Sequence, residues 1–230
     1  MSLTLSAIVP VYNEEELLER SINRLLEIEE VSKIFIVDDN SNDDSFKIMK
    51  ALQQNNKKIV INKLSVNKGK GSAIKSVFKQ LDTDYAIIHD ADMEYDPLDI
   101  CDMFNELKES NSNIFVIGSR FKNSKKVQQY YRTFYANKFL SLIFSLLYKI
   151  KITDIATCYK LMPVNYLLNT NFEEDGFAIE VELIAKYLNS NSKIIEVPIS
   201  YSARTYEEGK KIKFIDGLRY LIAMFRYKKN

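Results

Sequence analysis

Short apolar runs alternate with helix-like segments along the first half of the chain, and this alternation leaves few folds open. Residues 5–11, 34–37, 59–64, 85–89 and 114–117 read as strands. Between them, residues 14–28 place Leu17, Leu18, Ile22, Leu25 and Leu26 on one helical stripe. Further helices are predicted over 43–53, capped by Ser41 or Asn42, over 71–81, and from Pro97 onward. A β-α-β-α order of this kind predicts an α/β fold, a mostly parallel sheet with helices on both faces. The regularity weakens after Gly118. A long helix over 127–150, a late strand over 193–197, a basic loop and a final helix complete the expectation. No repeat or linker divides the chain, so a single domain is expected over 1–212. Residues 213–230 form a basic amphipathic helix that is part of that domain or appended to it.

The strand exits are polar in a consistent way. They carry Tyr12-Asn13-Glu14-Glu15, Asp38-Asp39-Asn40-Ser41, Asn67-Lys68-Gly69-Lys70-Gly71, Asp90-Ala91-Asp92 and Gly118-Ser119-Arg120-Phe121. Carboxyl ends of parallel strands share one edge of a sheet, so these five loops are expected to meet in one crevice, where open α/β sheets bind ligands. Asp90 and Asp92 end an apolar run and, two residues apart in extended backbone, point the same way. They suit one hard divalent cation whose shell is completed by water and phosphate oxygens. Gly69 and Gly71 open a helix beside Lys68 and Lys70, a start that suits a phosphate. The spacing is not that of a P-loop, and the first βα turn lacks the glycines of a dinucleotide fingerprint.

The 230 residues carry a formal charge of +1, which argues against bulk binding to nucleic acid. Cys101 and Cys158 have no metal-ligand spacing and read as free thiols in a reducing compartment. No secretory signal is read at Met1-Ser2-Leu3-Thr4-Leu5. The most apolar later stretch, 139–148, falls short of the roughly 20 residues that span a bilayer. His89 adjoins the acidic pair but is expected to face away from it and to be structural. Glu180 and Glu182 are expected at a helix face or core edge.

Taken in order, these motifs resemble a family 2 glycosyltransferase of the GT-A fold, within it the dolichyl- and polyprenyl-phosphate sugar transferases. Asp154-Ile155-Ala156-Thr157-Cys158-Tyr159-Lys160, Gly176-Phe177-Ala178-Ile179-Glu180, Glu196-Val197-Pro198 and Ala203-Arg204-Thr205-Tyr206 extend the resemblance to about Gly217. It implies that Pro10, Tyr12, Glu14 and Asp39 line a nucleotide pocket, with Lys68 and Asp90 near the donor's phosphates. It implies Mg²⁺ or Mn²⁺ on Asp90 and Asp92, with Glu94 as a third ligand and Asp92 essential to turnover. A lipid-phosphate acceptor needs cations, for which Arg120, Arg132, Arg204, Lys210 and Lys211 are the candidates, Arg120 and Arg204 being also catalytic.

The implied reaction is inverting transfer of a hexose from a UDP- or GDP-sugar to undecaprenyl or dolichyl phosphate, by a protein peripheral on the cytoplasmic membrane face. One alternative is a GT-A enzyme that adds sugar to a glycan hydroxyl in surface polysaccharide synthesis. It needs a general base, for which Asp154, Glu173, Glu174 and Asp175 are the candidates. Another is a nucleotide-sugar-binding protein without turnover.

Overall fold

The computed structural model describes residues 3–110, 113–122, 127–128, 130–190, 193–204 and 214–229. The order begins β1 (Leu5–Val11), α1 (Leu18–Leu26), β2 (Val31–Asp38), α2 (Ser45–Asn55), β3 (Ile59–Lys63), α3 (Lys70–Lys75) and β4 (Tyr85–Ile88). A 3₁₀ turn, Phe78–Gln80, follows α3. Next come α4 (Leu98–Glu109), β5 (Phe115–Ser119), β6 (Val127–Gln128), α5 (Tyr131–Tyr148), β7 (Lys160–Pro163) and α6 (Val164–Asn169). The chain continues through α7 (Ile179–Leu188), β8 (Ile194–Pro198) and β9 (Tyr201–Ser202) to α8 (Phe214–Arg226).

Seven strands form one sheet in the order β3-β2-β1-β4-β7-β5-β8, flanked by helices, with β6 and β9 as a separate parallel pair. Only β7 runs against its neighbours. It was not foreseen: Lys160-Leu161-Met162-Pro163 is a short run in a region whose regularity had faded, and direction between two parallel strands leaves no mark in such a run. β1 and β4 are buried almost throughout, as expected for strands covered on both faces. Ile8 sits in register with Phe35 on one side and Ile88 on the other.

The chain builds outward from β1 to β2 and β3, then returns to place β4 on the other side of β1. This reversal sets the exits of β1 and β4 side by side, which positions a crevice. The exits of β1 and β2 are also stitched together. Ser41 Oγ accepts the Asn13 N–H at 3.0 Å, and the Asn42 N–H donates to Asn13 Oδ1 at 2.9 Å. Ser41 and Asn42 therefore do not cap α2. Asp43 Oδ1 accepts the Ser45 N–H at its start instead.

The glycines at α3 answer to packing rather than to a helix-start phosphate. A Cβ at Gly71 would stand 2.3 Å from the Glu174 carbonyl oxygen, and one at Gly69 (φ +101°) 2.7 Å from that of Asp175. The helix is only six residues long and its start lies against the 174–175 backbone, where the Ser72 N–H donates to the Asp175 carbonyl.

Candidate active site

A cavity of about 430 Å³ opens at the carboxyl edge of the sheet. Pro10, Tyr12, Glu14, Asp39 and Gly69 form one wall. Asp90, Asp92, Glu94 and Arg204 line its middle, where Lys70 meets Asp90 and Tyr201 links Glu94 to Arg120, and Tyr95, Phe177, Glu180 and Tyr220 also line it. Asp39 accepts the N–H groups of Lys68 and Gly69 at 2.8 and 2.7 Å, which fixes the loop after β3. Burial holds its carboxyl above the usual range against those two bonds. Lys68 itself is exposed and is not among the lining residues. Lys70, past the turn at Gly69, is.

Each acidic group of the middle wall has a cationic or hydroxyl partner. Lys70 Nζ lies 2.8 Å from Asp90 Oδ1 and 2.8 Å from Glu180 Oε1, and Glu180 Oε2 lies 2.6 Å from Lys160 Nζ. Burial pushes the Asp90 carboxyl up, but the Lys70 charge together with hydrogen bonds from Lys70 and Cys158 leaves Asp90 below its ordinary value. Arg204 bridges Glu14 and Asp92, each at 3.1 Å. Glu94 accepts the Tyr201 hydroxyl at 2.5 Å and the Arg204 N–H at 2.8 Å. Met93, between them, has φ +62°, a left-handed conformation that costs a bulky residue about 1–3 kcal/mol and turns the loop after β4.

The donor set fits a divalent cation at two of its three expected ligands. Burial and the like charges of Asp90 and Glu94 push the Asp92 carboxyl up to about 7. A bound cation would relieve that surplus of negative charge. Glu94 is turned to Tyr201 and Arg204 instead. Among the described residues no three His, Cys, Asp or Glu side chains form a ready-made metal cluster. Asp90 and Asp92 would thus share the ion with oxygens of the ligand, as Mg²⁺ sites with one or two carboxylates do.

Arg120 is almost completely buried, yet it borders the cavity. Its Nε and Nη2 donate to the two oxygens of Asp154, both at 2.7 Å, and its own N–H adds a third bond at 3.0 Å. Its guanidinium lies 4.8 Å from the centre of the Tyr201 ring. Asp154 is held in turn by the Thr153–Asp154 turn, whose N–H groups donate to Glu196. Arg132 lies in the first turn of α5, exposed and away from the lining residues. Lys210 and Lys211 lie outside the described residues.

His89 points into the core, where its ring nitrogens meet Ser21 Oγ at 3.2 Å and Tyr159 Oη at 2.9 Å. Burial lowers its pKa from 6.5 to about 4. The unfolded chain therefore takes up a proton that the fold refuses. This contribution is complete above pH 6.5 and is lost as pH falls toward 4, by about 3 kcal/mol in all. In urea melts, His89→Gln is expected to flatten that part of the pH dependence relative to the parent protein. Parallel curves for the two proteins would contradict it.

Sequence reasoning missed Lys70 as a lining residue and took Glu180 for scaffold. Glu180 is 1% exposed, faces the cavity and is paired across a sequence gap of 110 residues. The only sequence signal was its place in the Gly176–Glu180 segment. The four carboxylates considered as bases do not line the cavity. Asp154 holds Arg120, Asp175 holds Ser72 and Lys75, Glu174 holds Arg226, and Glu173 pairs with Lys186.

The chain matches the pattern of glycosyl transferase family 2 over residues 6–168. It is 34% identical over 134 residues to the UDP-N-acetylglucosamine–dolichyl-phosphate N-acetylglucosaminyltransferase of Methanococcus voltae, covering 52% of this chain and 53% of that one. It is 28% identical over 217 residues to the dolichol-phosphate mannosyltransferase of Pyrococcus furiosus, covering 90% and 59%. The chain thus spans little more than half the length of these curated relatives. Its fold is that of glucosyl-3-phosphoglycerate synthase from Mycobacterium tuberculosis, crystallised with Mn²⁺, uridine diphosphate and glucosyl-3-phosphoglycerate. The TM-score is 0.76 at 14% identity, covering 98% of this chain and 80% of that one.

Proposed function

Given that this chain belongs to glycosyl transferase family 2, we propose that it moves a hexose from a UDP- or GDP-sugar to a polyprenyl phosphate with inversion, at the cytoplasmic face of a membrane. The observation that carries this reading is one cavity bordered by the Asp90–Asp92 pair and by two arginines, Arg120 and Arg204. An anionic donor and an anionic acceptor can both be met there. Two similar proteins, from Methanococcus voltae and Pyrococcus furiosus, are named for dolichyl or dolichol phosphate.

In this reading the base and ribose lie against Pro10, Tyr12 and Glu14, on a wall whose 68–69 loop is pinned by Asp39. Asp90 and Asp92 would hold Mg²⁺ or Mn²⁺, which supplies Lewis-acid assistance to the departing nucleoside diphosphate. Arg204 stands between Glu14 and Asp92, so its guanidinium is already placed for diphosphate oxygens. Arg120, fixed by Asp154, keeps Nη1 for the acceptor phosphate. A phosphate monoester oxygen is ionised near neutral pH, so it attacks the anomeric carbon without a strong base. The chain's task is positioning and charge stabilisation. A glycan hydroxyl would need a base, and the four carboxylates considered for that role are engaged elsewhere.

Two exposed apolar stripes suit a lipid acceptor. On α5 they are Tyr131, Tyr135, Phe139, Leu142 and Leu146, and on α8 Ile215, Leu218, Ile222 and Phe225. The two helices pack together, with Tyr148 Oη donating to the Met224 carbonyl at 3.0 Å. Among the described residues no helix is long and apolar enough to cross a membrane. Arg132, Lys138, Arg219 and Arg226 accompany the stripes, a composition suited to lying in an anionic lipid surface.

The test is incubation of the purified protein with labelled UDP- and GDP-hexoses and polyprenyl phosphate in anionic vesicles, with Mn²⁺ or with chelator. Label is expected in the lipid only when metal is present. Label in free glycan alone would support a hydroxyl acceptor instead, and donor binding without product a non-catalytic role. Leu142→Asp with Ile222→Asp is expected to weaken vesicle co-sedimentation about tenfold or more, with unchanged circular dichroism.

A further inference from the structure

Glu94 follows the Asp90–Asp92 pair at a spacing that suits a third metal ligand, yet both of its carboxylate oxygens are engaged by another segment. Four contacts tie the loop after β4 to residues 201–204. Tyr201 Oη donates to Glu94 Oε2 at 2.5 Å, and the Arg204 N–H donates to Glu94 Oε1 at 2.8 Å. The Ser202 N–H donates to the Glu94 carbonyl at 2.9 Å, and Tyr95 forms an antiparallel bridge with Tyr201. The two side-chain bonds span 107 and 110 positions of sequence, so they are tertiary clamps and not local turn chemistry. Glu94 is 8% exposed, and water has little room to replace these bonds.

Two groups that line the cavity depend on the clamped segment. Arg204 carries its guanidinium to Glu14 and Asp92, and its buried Nε makes no hydrogen bond, a donor left for an anion. A long side chain with many rotamers keeps one aim only from a fixed backbone. The ring of Tyr201 lies 4.8 Å from the Arg120 guanidinium and meets the Tyr95 ring edge-on at 5.2 Å. Tyr95 in turn stacks on the buried Tyr159 at 4.7 Å. Glu94 thus anchors the hydroxyl of a ring whose body is held by the core and lies against Arg120. The Glu94 N–H also donates to Asp92 Oδ1 at 3.1 Å, so the clamp reaches the acidic pair through the backbone.

We infer that Glu94 is a positioning residue, whose carboxylate holds segment 201–204 on the loop after β4 and thereby aims Arg204 at the diphosphate of the donor. The inference rests on the proposed donor class and replaces the expected role of Glu94 as a third metal ligand.

Calorimetry with two probes separates a clamp from a ligand. One probe is Mn²⁺ alone. The other is UDP or GDP in chelator, whichever the parent protein binds better. In Glu94→Gln the amide nitrogen is a donor facing a donor, so one of the two bonds is lost. Metal-free nucleotide affinity is expected to fall about threefold or more, although removal of a negative charge by itself would tighten an anion. Mn²⁺ affinity is expected to fall by less than that. Arg204→Gln is expected to weaken the metal-free nucleotide as well, and adding Glu94→Gln to it is expected to cost less than twofold more, because the one residue acts through the other. A larger loss for Mn²⁺ than for the metal-free nucleotide overturns the clamp and marks a metal ligand. Additive losses in the double variant overturn it too. Should Glu94→Gln fail to fold, Tyr201→Phe keeps the carboxylate and the ring and removes one clamp. It is expected to weaken the metal-free nucleotide about twofold or more, and tighter Mn²⁺ binding in its place would overturn the inference. Should neither UDP nor GDP bind the parent protein, the proposed donor falls, and the Mn²⁺ comparison still decides whether Glu94 is a ligand.

Discussion

Asp154→Ala is expected to destabilise the fold by about 3–5 kcal/mol, the cost of leaving one partner of a buried ion pair alone. Arg120 is 4% exposed and Asp154 0% exposed, so the guanidinium would find little water in place of the carboxylate. Both of its bonds to the carboxylate vanish in the variant, together with the bond from the Arg120 N–H. Urea melts read the loss directly, and a change below about 1 kcal/mol would contradict the pairing. A second variant separates stability from chemistry. Arg120→Met with Asp154→Leu replaces the pair by apolar groups of similar volume, which is often neutral or stabilising. That double variant is expected to regain most of the lost stability. Its KM for polyprenyl phosphate is nevertheless expected to rise at least tenfold, because the phosphate has lost a charge-assisted partner. Recovery of both properties would remove Arg120 from the acceptor site.

Asp92→Asn is expected to lower metal-dependent turnover by about three orders of magnitude, the equivalent of several kcal/mol of Lewis-acid assistance. The fold should be unaffected. Arg204 keeps Glu14 when Asp92 loses its charge, and removing one of three crowded carboxylates relieves repulsion. The thermal midpoint of Asp92→Asn is therefore expected to equal or exceed that of the parent. Asp90→Asn contrasts with it. That carboxylate faces Lys70, whose side chain is 10% exposed, so the variant is expected to lose stability as well as turnover. Measured side by side, the two variants distinguish a carboxylate that serves the ligand from one that also serves the fold. Unchanged turnover in Asp92→Asn would refute its place at the metal.

The exits of β1, β2, β4 and β5 were legible because apolar runs of four to eight residues are distinctive and because a parallel sheet puts their ends on one edge. Asp39, Asp90 and Arg120 were found in that way. What was not legible has a common physical cause. The β7 insertion reverses a strand of four residues, and direction leaves no periodic trace. Lys70, Glu180 and Lys160 form a buried network whose members are scattered along the chain, so that each looks like an ordinary surface charge. Asp154 looked like a base because its sequence neighbours do not include Arg120, 34 residues before it. The positive φ of Met93 is a tertiary requirement that no methionine advertises.

Tyr220 and Phe225 leave α8 on opposite sides, the one toward the cavity and the other outward. A helix is about 10 Å across with its side chains. A lipid film that met Phe225 would thereby lie within one rod's thickness of the cavity. On the proposed polyprenyl phosphate acceptor, the tethered phosphate would not need to climb out of the headgroup layer to react, and the hydrocarbon tail behind it would stay in the oil.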